Sequence, residues 1–200
     1  MTAVKKQRVA LDVNGVLANV LGVMLEIRKK AGFIYTRDNP GEYTGHGGVF
    51  LGLDNDSFEA MYNGMWQNMW RQIRCTVSED ELLQFCKDYD VALVTSRYDN
   101  ALQPLKDWLA LDYPSTKLEI LAVPKGVDKA TLPFDIYIDD APSLAGKMSV
   151  IAGKRLFLVR TGYNKTVHRD DARGITIVKD LSEAIHLPNN EINSRKARVA

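Results

Sequence analysis

Asp12 closes a short apolar run, Arg8-Val9-Ala10-Leu11-Asp12, and stands where a carboxylate can act as a nucleophile. Two further runs end on polar groups. Val91-Ala92-Leu93-Val94-Thr95 leads into Ser96 and Arg97, and Phe134-Asp135-Ile136-Tyr137-Ile138 leads into Asp139 and Asp140. Lys129 lies ten residues before Asp139 (139 − 129). A carboxylate, hydroxyls, an ammonium and an acidic pair are together what phosphoryl transfer needs. The nucleophile attacks phosphorus in line, and a divalent cation held by hard oxygens offsets the charge of nucleophile and phosphate. Hydroxyl, ammonium and backbone amides neutralise the equatorial oxygens. Gly15 allows a tight turn after Asp12, so that successive amides can face a phosphate. Each piece has a plainer use: an aspartate after a strand can be a turn former, and Asp139-Asp140 before Pro142 can cap a helix. Their recurrence at the ends of separate runs favours the chemistry.

Those residues need a scaffold that brings strand ends together. Besides the three runs above, Leu118–Ala122, Arg155–Val159 and the weaker Ile175–Val178 have strand length. Most are nearly continuous in apolar residues, as parallel strands covered on both faces are. Leu102, Leu105, Trp108 and Leu109 share a helical face, Cys75 and Cys86 flank another helical segment, and Pro142 opens a helix with Leu144, Met148 and Ile151. This alternation predicts an open parallel α/β sheet with helices on both faces, whose ligands bind at the carboxyl ends of the strands. Residues 17 to about 76 break the alternation with two helical patterns, Leu17/Val20/Leu21/Met24/Leu25 and Phe58/Met61/Tyr62/Met65/Trp66/Met69/Trp70. The expected partition is an α/β core over 1–17 and 77–190, a small helical cap over 18–76 and a flexible basic tail over 191–200.

Bulk properties exclude several other classes. The 200 residues are 46% hydrophobic and 26% charged, ordinary for one globular domain, and the net charge of +1 gives no footprint for a nucleic acid polymer. No apolar stretch approaches the roughly 18 residues of a membrane span, and MTAVKKQR lacks the apolar region of a signal peptide. Two cysteines suggest no disulfide framework, so a cytoplasmic, reducing compartment is expected. His46, His168 and His186 have neither zinc-ligand spacing nor triad partners.

Asp12-Val13-Asn14-Gly15-Val16-Leu17, Val94-Thr95-Ser96-Arg97, Lys129 and Ile138-Asp139-Asp140 occur in the order of the motifs of the haloacid-dehalogenase (HAD) phosphatases, which the chain resembles over residues 8 to about 185. The likeness is greatest to the 5′(3′)-deoxyribonucleotidase branch and its bacterial and phage relatives, through the helical insert, Trp108 and Thr161-Gly162-Tyr163-Asn164. The resemblance implies Asp12 as the nucleophile, and Thr95, Ser96 and Lys129 as phosphate-binding groups. It implies Mg2+ held by Asp12, the backbone carbonyl of Asn14, Asp139 and Asp140. It further implies aromatic residues of the cap over a nucleoside; Tyr43, Phe50, Trp66 and Trp70 are candidates, although the Met/Trp stripe also reads as core, and Arg97 can reach a second polar group or form a surface salt bridge. The partner implied is a small-molecule phosphate monoester, a nucleoside monophosphate in the first instance, with a homodimer left open and no membrane.

One residue departs from that pattern. Where the resembled phosphatases carry a second aspartate as proton donor and acceptor, this chain has Asn14. An amide has no titratable proton near neutral pH, so catalysis by residue 14 is expected to be impaired. An engineered trap, a slow natural variant and a binding protein without turnover all fit the sequence.

Overall fold

The computed structural model describes residues 6–34, 51–96, 101–124, 127–165, 167 and 174–187. Its centre is one six-stranded sheet of β1 (Arg8–Leu11), β2 (Asp90–Thr95), β3 (Glu119–Ala122), β4 (Ile136–Asp139), β5 (Arg155–Val159) and β6 (Ile175–Val178). The spatial order is β3-β2-β1-β4-β5-β6 with every pair parallel. Val9 pairs with Val91 on one side and with Ile136 on the other, so β1 sits at the centre. Alternate residues face opposite clusters: Val9, Leu11, Leu93, Ile138 and Phe157 pack on one face, Ala10, Val94, Tyr137, Leu156 and Leu158 on the other. Burial on both faces explains the unbroken apolar runs. The sheet order reverses direction between β1 and β4, and such a reversal opens a crevice at the carboxyl ends of the strands.

Helices α3 (Glu79–Asp88), α4 (Leu102–Asp112) and α5 (Pro142–Met148) belong to the crossovers. Ser78 and Glu81 form a reciprocal capping box at the start of α3. Pro142 begins α5, as its fixed φ favours, but the helix ends at Met148, and Ile151 lies beyond it. Among the described residues no helix is long and apolar enough to cross a membrane.

Between β1 and α3 lie α1 (Val20–Lys30) and α2 (Asn55–Asn68). The first helical pattern was expected to include Leu17, but the helix starts three residues later. Asn19 caps it by accepting from the Gly22 amide at 3.0 Å, and residues 13–18 are held in turns by Gly15 N–H to Ala18 O and Ala18 N–H to Val13 O. The second pattern also ends early: α2 stops at Asn68, and Trp70 lies in a short 3-10 turn, Trp70–Gln72. The chain leaves and re-enters the α/β unit through a paired neck. Ala18 bridges Cys75 antiparallel, Asn19 N–H donates to Arg74 O, and Thr76 N–H donates to Leu17 O.

The described residues of the insert share the core of the sheet. Val20, Met24, Leu51, Met65 and Trp66 are buried in the same cluster as Leu11, Leu93 and Trp108. Trp66 meets Trp108 edge to face, and Trp108 meets Tyr113 in the same way. The Trp108 indole N–H donates to Ile73 O and the Tyr113 hydroxyl to Val77 O, which fixes the returning strand of the neck against α4.

Candidate active site

The carboxyl end of β1 places Asp12 against β4: its backbone N–H donates to Ile138 O at 2.9 Å. Asp139 is the last residue of β4 and Asp140 the next, so three aspartates converge at the reversal of strand order. All three are buried, at 7%, 3% and 5% exposure. One carboxylate oxygen from each lies within 4.8 Å of the other two. Lys129, on a 3-10 turn (Lys129–Thr131) preceding β4, inserts its ammonium between two of them, 2.6 Å from Asp12 Oδ1 and 2.8 Å from Asp139 Oδ2. Thr95, fully buried at the end of β2, stands on the neighbouring strand. The structure thus gathers Asp12, Thr95, Lys129, Asp139 and Asp140 along adjacent strand ends.

Local hydrogen bonds account for the positions. Asp139 Oδ1 accepts from Ala141 N–H at 2.8 Å, which is the turn-forming use of an aspartate combined with the ion pair. The Tyr163 hydroxyl donates to Asp140 Oδ2. Asn164, with no exposed surface, donates from Nδ2 to Asp140 O and Val159 O and accepts from Thr161 N–H. Gly15 has φ +80°, and a Cβ there would overlap Asp140 Oδ2. The Lys129 turn is supported from below by Lys154, whose ammonium donates to Ala130 O, Leu132 O and the Tyr137 hydroxyl. Replacing Asn164 by alanine strands two carbonyls and an amide, and we expect a loss of roughly 2–4 kcal/mol in stability, read from urea unfolding. An unchanged midpoint would show that water substitutes for the amide.

The electrostatics set up a demand for positive charge. Three carboxylates converge on one ammonium, so ionising all three would leave a buried excess of negative charge. Burial pushes the Asp12 carboxyl up to about 6, with Lys129 opposing and Asp139 adding to the rise. Asp140 is raised well above the usual carboxylate range by burial and by the charges of Asp12 and Asp139. Burial disfavours the Lys129 charge, yet Asp12 and Asp139 outweigh it and hold the ammonium protonated. A compact set of hard oxygen donors with excess negative charge fits a divalent cation of the magnesium type.

A pH dependence follows. Between pH 3.8 and about 6 the folded, metal-free protein binds more protons at Asp12 than the unfolded chain does. This group's contribution is therefore fully present below 3.8 and is lost as pH rises through about 6. The expected result is a fall in urea midpoint across that window that is weaker in Asp12→Asn, measured in chelator.

Other candidates are placed differently. Ser96 is exposed, and Tyr43, Phe50 and Arg97 lie outside the described residues. Trp66 has no exposed surface, so its ring is core rather than an open stacking face; its indole N–H donates to Asn14 Oδ1 at 3.2 Å. Trp70 is half-buried with the Arg71 guanidinium 4.3 Å from its ring centroid. Sequence reasoning gave no role to Tyr163, Asn164 or Lys154. The first two had a signal, as polar residues just past the strand beside β4; an isolated lysine before β5 had none.

The order and parallel pairing of the sheet are those of the HAD-like hydrolase fold. Solved structures of that fold superpose along most of the chain. A hydrolase from Pseudomonas syringae matches with a TM-score of 0.56 at 13% identity, covering 93% of this chain and 99% of that one. CbbY from Rhodobacter sphaeroides, in complex with phosphate, matches at 0.55 and 12%, covering 90% and 96%. A haloacid dehalogenase-like family hydrolase from Xanthomonas campestris matches at 0.53 and 10%, covering 100% and 97%. At these identities the likeness establishes the fold. No protein-family model and no curated protein matches the sequence.

Proposed function

We propose that the protein is a magnesium-dependent phosphomonoesterase of the HAD type, acting on nucleoside monophosphates, deoxy forms in particular, with turnover restrained by Asn14. The observation that supports this reading is the buried cluster of Asp12, Asp139, Asp140 and Lys129 beside Thr95. Asp12 supplies the oxygen that bonds to phosphorus while the ester P–O bond breaks, giving an aspartyl-phosphate and an alkoxide. Lys129 and Thr95 hold the phosphoryl oxygens, with Ser96 at the edge. The alkoxide takes a proton from solvent; water then attacks phosphorus, its proton passing to solvent, and phosphate leaves as the P–O bond to Asp12 breaks. A bound divalent cation, held by Asp12, Asp139, Asp140 and the Asn14 carbonyl, would offset the charge gathered on carboxylates and phosphate. Asn14 can bond the departing oxygen but cannot transfer a proton to it.

The test is phosphate release with magnesium across nucleoside monophosphates and sugar phosphates, by the chain itself and by Asn14→Asp. We expect release from a nucleotide in the Asn14→Asp form and its abolition when Asp12→Asn is added. Equal, negligible rates in both forms on every compound would overturn the enzyme reading. Preference for sugar phosphates would move the substrate to another small metabolite, the class that a second CbbY complex, with xylulose bisphosphate, illustrates for that protein. A binding role without turnover is favoured by Asn14 alone; nucleotide affinity in the absence of any release, in both forms, would establish it.

A further inference from the structure

The contact between Trp66 and Asn14 joins the insert to the phosphate site through one polar group. We propose that Trp66 is the positioning residue for residue 14: its indole N–H fixes which end of that side chain faces the insert and which end is left to the reacting groups. The kinetic part of this proposal rests on the phosphatase reading above, whereas the contact itself does not.

The argument starts from the donor inventory. An asparagine amide can be turned either way at small cost, but an indole N–H only donates. With Trp66 Nε1 at 3.2 Å, Asn14 must present Oδ1 to the insert, and its NH2 group is the end offered elsewhere. The indole is held rigidly. Trp66 has no exposed surface and packs edge to face on Trp108, with ring centroids 6.1 Å apart at 87°. Of the three rings in this edge-to-face series, Trp108 and Tyr113 donate from their polar groups to backbone carbonyls of the neck, Ile73 O and Val77 O. Trp66 alone directs its N–H to a side chain, and that side chain is two residues from Asp12. A buried tryptophan that only filled space could satisfy its N–H on a carbonyl, as its neighbour does.

The same geometry orients an aspartate. In Asn14→Asp the indole N–H would hold one carboxylate oxygen and leave the other to carry a proton to or from the substrate. A hydrogen bond to a charged group is shorter and roughly twice as strong as a neutral one, so the contact tightens.

The test reads the contact directly. The chain has three tryptophans, Trp66, Trp70 and Trp108, and hence three indole N–H signals in a nitrogen–proton spectrum. We expect the assigned Trp66 indole proton to move downfield in Asn14→Asp and to move upfield with faster exchange in Asn14→Leu, while Trp70 and Trp108 keep their positions. A Trp66 signal that is the same in all three proteins overturns the proposal, whatever the enzyme assays show. In the Asn14→Asp background, Trp66→Phe keeps a ring but removes the N–H. There we expect kcat to fall about 10- to 100-fold, with KM and inhibition by inorganic phosphate unchanged. A parallel loss of phosphate affinity, or an unchanged kcat, would instead assign Trp66 a packing role and overturn the proposal. If Asn14→Asp releases no phosphate from any substrate, the phosphatase reading fails and the indole signal alone decides the positioning role.

Discussion

Asn14→Asp should raise kcat/KM for an alkyl phosphate by a factor of about 10²–10⁴, the span of general acid–base catalysis. The leaving group separates this from a general improvement of the site. An alkoxide is a poor leaving group without a proton, whereas a nitrophenolate departs well unprotonated. Because kcat/KM reports the steps up to cleavage of the ester bond, the gain for an aryl phosphate should be smaller by at least tenfold. Equal gains for the two esters would mean that residue 14 acts through binding or metal geometry. The steady-state comparison, with magnesium saturating, decides between these.

Lys129→Met should be the most destabilising single change in the cluster, at about 3–5 kcal/mol in metal-free protein near neutral pH. Lys129 bridges Asp12 and Asp139 with only 17% of its side chain exposed, so its removal leaves three buried carboxylates without a counter-charge. Two features identify the cause. The loss should shrink at acid pH, where carboxylates raised by burial take up protons and the folded state binds more of them than the unfolded chain. It should also shrink when a divalent cation is added, because the ion supplies the missing charge. Lys29→Met breaks an exposed pair with Glu26 on α1 and should leave the urea midpoint almost unchanged. Urea titrations at two pH values, with chelator and with magnesium, measure all of these; a Lys129→Met loss independent of pH and metal would assign the effect to packing.

Much of this arrangement was legible in the sequence because its signals were local. Arg155–Val159 and Ile175–Val178 are strands over their full expected lengths, since continuous apolar runs bounded by polar turns leave little freedom of register. Asp12, Thr95, Lys129 and Asp139-Asp140 could be related to one another because an alternating chain brings successive strand ends to one edge. Long-range contacts left no such trace. Lys154 supports the Lys129 turn across 24 and 22 residues of chain, to Ala130 and Leu132, without any spacing rule to announce it. Trp66 illustrates the limit differently. Its stripe lies on one helical face of α2 as far as Trp66, but periodicity cannot say whether a face meets ligand or core, and the partner that decides it, Trp108, lies on a helix after β2. Apolar spacing runs on through Leu17 and predicts an earlier start for α1, while the Asn19 cap and the Gly15 turn govern where the helix can begin.

The shared packing of insert and sheet has a bearing on modularity. A unit that closes over its own core can be exchanged between scaffolds or lost without unfolding what remains. Here Met24, Met65 and Trp66 complete the same cluster as Leu11 and Leu93, so excising the segment between Ala18 and Cys75 would expose one side of the sheet to water. The slowest amide protons of α2 should therefore exchange together with those of β1, on the timescale of global opening. Insert and sheet form one cooperative unit, so the insert cannot be exchanged wholesale; change has to come residue by residue.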